Sequence, residues 1–234
     1  MKNDLTVLYL TANLLPDRWV EFQQKTLLEA IEGFPVISVA RKSGLARGDL
    51  ITDDGEKSHL NMYKQMLRAA KQATTPYIAP AEDDALYHRT HFTDFRPPLD
   101  AFAYDMNRWR LFTWQEDPWY NWTNRVSNCA GILPRELFIE AWEERLAKFP
   151  GDSMPIHRVS EVGRNNQEEW MGVTLRKRAD FFAEFPIIHL NHLSGTDSTE
   201  TRKAMGPIRA IEIPYWHKAQ GIVDIYNGVG RSGL

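Results

Sequence analysis

"YIAPAEDDALYHRTHF", residues 77–92, runs from an apolar, strand-like stretch into three consecutive acids, Glu82, Asp83 and Asp84. Adjacent carboxylates repel one another, so a chain that keeps three together has a positive charge to place against them. An acidic triplet standing alone is most simply a solvated turn in which an Asp caps the next helix. The residues upstream decide between the two.

"LTVLYLTAN" (5–13) is an apolar, β-rich run ending in turn formers, which predicts a buried strand and a loop. "PDRWVEFQQKTLLEAIEGF" (16–34) has an early Pro, apolar residues at helical spacing and Gly33 as a stop, which predicts a helix. "PVISVAR" (35–41) reads as a second strand and residues 42–57 as a polar loop. Ser58 then stands where an N-cap belongs, ahead of the amphipathic "HLNMYKQMLRAAKQA" (59–73), and "PYIAPA" (76–81) reads as a third strand. The alternation β-α-β-α-β builds a parallel sheet, and ligands of such sheets bind beyond the carboxyl ends of the strands. Thr11, Asn13, Arg41, Lys42 and the three acids all fall on that rim.

The second half is less regular. Residues 101–131, with "AFAYDMNRWRLFTWQEDPWYNW", are aromatic and alternating and suggest strands with a wide loop. "PRELFIEAWEERLAKFP" (134–150) predicts a helix with Pro134 at its start. A polar loop (151–166), a short helix over "QEEWMGVTLRKRA" (167–179), and strands over "DFFAEFP" (180–186) and "IIHLNH" (187–192) follow; beyond Pro207 no element is legible. His189 and His192 are three apart, so on a strand they would face opposite sides and only one would enter a site. No repeat or linker divides the chain, and a single domain is expected.

Composition bounds the function. The 234 residues are 43% hydrophobic and 25% charged with a net charge of −3, which gives no general electrostatic attraction to nucleic acid or membranes. The single Cys129, in the apolar "RVSNCAGILP", excludes an internal disulfide framework and a multi-cysteine zinc site, and fits a buried thiol in a reducing compartment. "MKNDLTVLYL" is unlike a signal peptide, and no stretch approaches the roughly 18–20 apolar residues of a membrane span. The expectation is a soluble, cytoplasmic protein without a membrane partner.

Hard divalent cations take carboxylate oxygens, and Mn²⁺ also accepts imidazole. At the rim of an open sheet such an ion neutralises charge on a departing diphosphate. Strand, "EDD", then "ALYHRTHF" resembles the D-x-D region of GT-A glycosyltransferases, especially family 2-like enzymes. "QEEWMGVTLRKRAD" (167–180) resembles their E-D-x-x-L-x-x-R-x-R helix, and "IIHLNHLSGTDSTETRK" (187–203) the segment that carries a metal-binding His and diphosphate contacts. The resemblance implies an α/β, Rossmann-like GT-A fold, an open mixed sheet flanked by helices. It implies a nucleotide-sugar half (1–84), an acceptor and catalytic half (85–205) and a tail (206–234).

The same resemblance implies Mn²⁺ or Mg²⁺ on Asp84 and His192, with His189 as substitute. Glu82 and Asp83 would contact the nucleoside-diphosphate sugar, a UDP-sugar by preference, together with Thr11, Asn13, Arg41, Lys42, Arg202 and Lys203. Glu169, beside Glu168, would be the catalytic base of an inverting hexosyl-type transfer. This chain has Glu168-Glu169 where the family pattern is Glu-Asp, one methylene longer at the base. Arg176, Lys177 and Arg178 fit a solvated face or a phosphate contact equally.

The acceptor is not legible. Trp109, Trp114, Trp119 and Trp122, near Arg108 and Arg110, offer stacking surface for a sugar or a base. A hydroxylated base in DNA, as in phage-type modifying enzymes, is an alternative acceptor that the net charge does not favour. A nucleotidyltransferase would carry a Gly-rich loop where this chain has "TANLLPDRW" (11–19). A silent sugar-binding module leaves the ordered acids without a purpose, and a glycosidase needs two carboxylates across a cleft.

Overall fold

The structure, a computed structural model, describes residues 4–56, 58–151, 153–155, 160–195 and 208–229. The chain runs β1 (Leu5–Thr11), α1 (Asp17–Ala30), β2 (Val36–Ala40), β3 (Asp49–Thr52), α2 (His59–Gln72) and β4 (Tyr77–Glu82). It continues through β5 (Ala85–Leu86), α3 (Arg89–Thr93), β6 (Ala101–Tyr104), β7 (Arg108–Phe112), β8 (Tyr120–Trp122), β9 (Gly131–Pro134) and α4 (Arg135–Lys148). Last come α5 (Asn165–Met171), β10 (Lys177–Arg178), β11 (Ile187–Asn191), β12 (Ile208–Ala210), β13 (Glu212–Ile213), β14 (His217–Lys218) and α6 (Ala219–Asn227).

Among the described residues, seven strands form one mixed sheet in the order β10-β6-β9-β4-β1-β2-β3. β1 lies parallel to β2 and β4, while β9 joins β4 and β6 antiparallel. Every residue of β1 is buried, as a central strand covered on both faces requires. Leu8 and Leu10 pack with Tyr63 and Met66 of α2 and with Phe138 and Trp142 of α4. Leu5, Val7 and Tyr9 point the other way, onto Leu27 and Ala30 of α1. The two-residue period of the strand thus feeds two helical layers. No helix among the described residues is long and apolar enough to cross a membrane.

A second sheet has the order β12-β8-β7-β11-β5. Its apolar side packs Leu111, Ile188 and Leu190 against Trp19 of α1 and Ile222 and Val223 of α6. β5 belongs to this sheet although it follows the acidic turn directly, so the turn is where the two sheets meet.

Several expectations are corrected. The 42–57 loop contains β3, an exposed edge strand; its solvated faces leave no apolar alternation to read. The helix expected over 167–179 begins at Asn165 and ends at Met171, because Gly172 turns left-handed at φ 63°. The strand expected over 180–186 is reduced to one bridge, Phe181 to Asp105. There the Ala183 amide donates to the Asp105 carboxylate (3.2 Å) and the Glu184 amide to Asp94 (3.4 Å), so side chains replace a ladder. The tail contains α6, which docks on α1 and β7.

Candidate functional site

Thr11 pairs with Ala40 and Leu10 with Glu82, so β1, β2 and β4 end at one edge. The acidic turn is pinned there by its backbone. The Asp83 amide donates to Leu10 O (3.2 Å), the Trp19 indole to Asp83 O (2.8 Å), and the Gln23 amide to Glu82 O (3.3 Å) and Ala85 O (3.0 Å). The Glu82 amide donates to the Tyr87 hydroxyl (3.1 Å). With side chains of α1 serving the carbonyls, the carboxylates are left to the cleft.

The three acids differ electrically. Burial, then the charge of Asp84, pushes Asp83 up to about 7, against a short hydrogen bond from Thr11 Oγ1. Burial and the charges of Asp84 and Asp83 raise Glu82 as well. Burial also opposes ionisation of Asp84, but His189 and His192 overcome it and hold this carboxyl well below the usual range. Asp84 Oδ2 lies 3.4 Å from His189 Nε2 and 3.5 Å from His192 Nε2. Asp84 Oδ1 is buried with no hydrogen-bond partner.

Both histidines reach Asp84, against the expectation that only one would. β11 pairs His189 with Ala85, and Leu190 donates its amide to Asp84 O (2.8 Å), which lays the strand along the turn. The strand ends at Asn191, so the alternation no longer governs His192; a turn closed by Gly195 N–H to His192 O (3.0 Å) redirects it. Behind His189, burial lowers the imidazole's affinity for a second proton; the Asp84 charge opposes this, and Arg108 and Arg110 reinforce it. Glu82, Asp84 and His189 each present a ligand atom, all within 4.8 Å of one another.

Thr11, Arg41, Glu82, Asp83, Asp84 and His192 line one cleft. Asn13 stands at its rim in a left-handed conformation (φ 53°), where it ties the two loops together: its side chain donates to Ser43 O (2.8 Å) and accepts from the Lys42 amide (2.9 Å). The opposite wall is the start of α2, with Ser58, Asn61, Met62 and Gln65. From sequence Ser58 was read only as an N-cap and Asn61, Met62 and Gln65 were not singled out, although their spacing of three and four is that of one helical stripe.

Other expected residues lie elsewhere. Glu168 is fully buried and accepts from Arg145 (2.9 Å) and from the amides of Gly163 (2.9 Å) and Arg176 (3.0 Å), which engages both its oxygens and closes it to an acceptor. Glu169, next along α5, is exposed and does not line the cleft. Nor do the four tryptophans. The indoles of Trp109, Trp119 and Trp122 donate to Asn107, Asn121 and Met106 O close by, Trp114 packs edge-on to Phe112, and Trp109 faces Trp122 across β7 and β8. Arg202 and Lys203 lie outside the described residues.

No protein-family model matches the sequence, and no curated protein is similar to it in sequence. Solved structures similar to this chain include a mannosyltransferase from Pyrobaculum calidifontis in complex with GDP-Man and Mn²⁺ (14% identity, TM-score 0.45, 80% of this chain and 56% of that one). They include the glycosyltransferase GlyE of Streptococcus pneumoniae (8%, 0.48, 98% and 65%) and the bifunctional IspDF of Campylobacter jejuni (12%, 0.42, 77% and 50%). The chain spans about half the length of IspDF and of the mannosyltransferase. At these scores the likenesses carry no argument about what this chain does.

Proposed function

We propose that the chain is a glycosyltransferase that moves a sugar from a nucleoside-diphosphate sugar to a hydroxyl acceptor, with a divalent cation held at Asp84. The observation that carries this reading is Asp84 itself. It is ionised between two histidines at the carboxyl end of β4, with one oxygen buried and unpartnered. Burial first, and then the neighbouring negative charge, pushes Glu82 and Asp83 toward protonation. A carboxylate and imidazole donor set suits Mn²⁺ better than Mg²⁺.

When bound, the ion supplies charge that stabilises the departing diphosphate. The chain's own residues do the rest. Asp84 and His192 hold the cation, Glu82 and Asp83 meet the sugar nucleotide, and Thr11 and Arg41 bracket it across the rim. Residues up to Asp84 serve the donor, joined from the later half by His192, and the rest of that half serves the acceptor. Glu169, outside the cleft itself, is the acid of the pair left open to an acceptor where Glu168 is saturated; acting as base on an acceptor that reaches α5, it would give inversion.

Asp84→Ala should lower Mn²⁺-dependent donor turnover by roughly 100-fold or more. Unchanged turnover would remove the metal from Asp84. Glu169→Gln should lose transfer while keeping metal-dependent donor binding in a thermal-shift assay; full transfer would place the base elsewhere.

A further inference from the structure

Arg108 is almost fully buried on β7, the strand beside β11. One of its amino groups lies 3.1 Å from His189 Nδ1 and the other donates to Arg125 O (3.2 Å). A guanidinium only donates, so Nδ1 must present its lone pair. The neutral ring then carries its hydrogen on Nε2, the atom 3.4 Å from Asp84 Oδ2. A doubly protonated ring would set N–H against N–H at Arg108. A metal ion on Nε2 would demand an imidazolate. His192 meets a hydroxyl in place of a guanidinium. Its Nδ1 lies 2.8 Å from Ser194 Oγ, and a hydroxyl both donates and accepts, so this ring can move its hydrogen from Nε2 to Nδ1.

We infer that Arg108 is a positioning residue for Asp84, acting through His189. It fixes His189 as a permanent donor that aims the carboxylate, and leaves His192 as the one ring of the two that gives its Nε2 lone pair to the cation. This rests on the proposed cation at Asp84 and divides the labour of two rings that distance alone does not separate. Ligand-atom spacing by itself groups His189 with Glu82 and Asp84; the direction of the Arg108 hydrogen bond decides against counting it as a ligand. Fixing a carboxylate through a chain of hydrogen bonds is how outer partners tune metal affinity.

The test is ¹⁵N NMR of the histidine rings in the wild-type chain, without metal and with Zn²⁺, a diamagnetic ion that binds imidazole. His189 is expected to show an unprotonated Nδ1 and a protonated Nε2 in both states, while His192 changes at Nε2 when Zn²⁺ is added. In Arg108→Met, His189 should begin to populate the opposite tautomer and Mn²⁺ affinity should fall ~10-fold or more. A protonated His189 Nδ1 in the wild type, or a Zn²⁺ response at His189 rather than His192, overturns the inference. The wild-type spectra decide it whether or not the variant folds. Absence of any Mn²⁺ or Zn²⁺ binding by calorimetry, with His189 as expected, sinks the proposed metal site and leaves the Arg108–His189 link standing.

Discussion

Two carboxylates, Glu168 and Asp84, sit at the ends of buried hydrogen-bond systems and differ in one respect. Glu168 meets a buried arginine and two backbone amides, so both its oxygens are engaged. Asp84 meets two imidazoles at one oxygen and nothing at the other. The first arrangement is complete and serves the fold, closing the 163–176 segment against α4. The second is incomplete and faces a cleft. Sequence alone offered both as site residues; the count of donors around each separates them.

Breaking the complete one should cost most. Glu168→Gln leaves the Arg145 guanidinium buried without its counter-charge, which typically costs ~3–5 kcal/mol. For a chain of this size that lowers the melting temperature by roughly 10 °C, readable by calorimetry. A variant that melts as the wild type does would show that Glu168 is not a structural clamp. Gln23→Ala, which removes the donor to Glu82 O and Ala85 O, should cost about 1–3 kcal/mol and loosen the acidic turn. If Mn²⁺ binding survived that change undiminished, the turn's geometry would not depend on α1.

A smaller effect separates stability from function by pH. Asp53 is buried, which raises its affinity for a proton, but hydrogen bonds from Gln65 and Asn61 and the charge of Arg68 more than offset this and leave its pKa lowered. A lowered folded pKa contributes stability above the unfolded value, about 4, that is lost as the pH falls through the folded one. Asp53→Asn should therefore flatten the acid side of the stability curve below about pH 4 and lower stability at neutral pH. An unaltered acid limb would refute this.

The same contrast explains what the sequence revealed. β1, β2 and β4 were legible because buried strands read as apolar runs, and α1 and α2 because their faces repeat at helical spacing. The place of Glu82–Asp84 at the sheet's rim was legible because it follows from that order. The far half was not, for reasons of distance along the chain. His192 reaches Asp84 only because β11 pairs with β5 and stops one residue short of it, a pairing across about a hundred residues that local patterning does not encode. Glu168 looked catalytic because an acid pair at a helix start carries no mark of the arginine on α4 that would meet it. For the tryptophans, stacking potential shows in sequence, whereas the partners they take, Asn107, Asn121, Met106 and Phe112, do not.

The central claim is that Asp84 exists to hold a cation that clasps a diphosphate. It is tested most directly by the thermal melting of wild-type and Asp84→Asn chains with UDP-, GDP-, ADP- and CMP-sugars, with and without Mn²⁺. One donor should stabilise the wild type only when Mn²⁺ is present, by about 2.7 kcal/mol at a hundred times its Kd, and should leave the variant unmoved. Equal stabilisation of both chains, or stabilisation independent of the metal, would contradict the account.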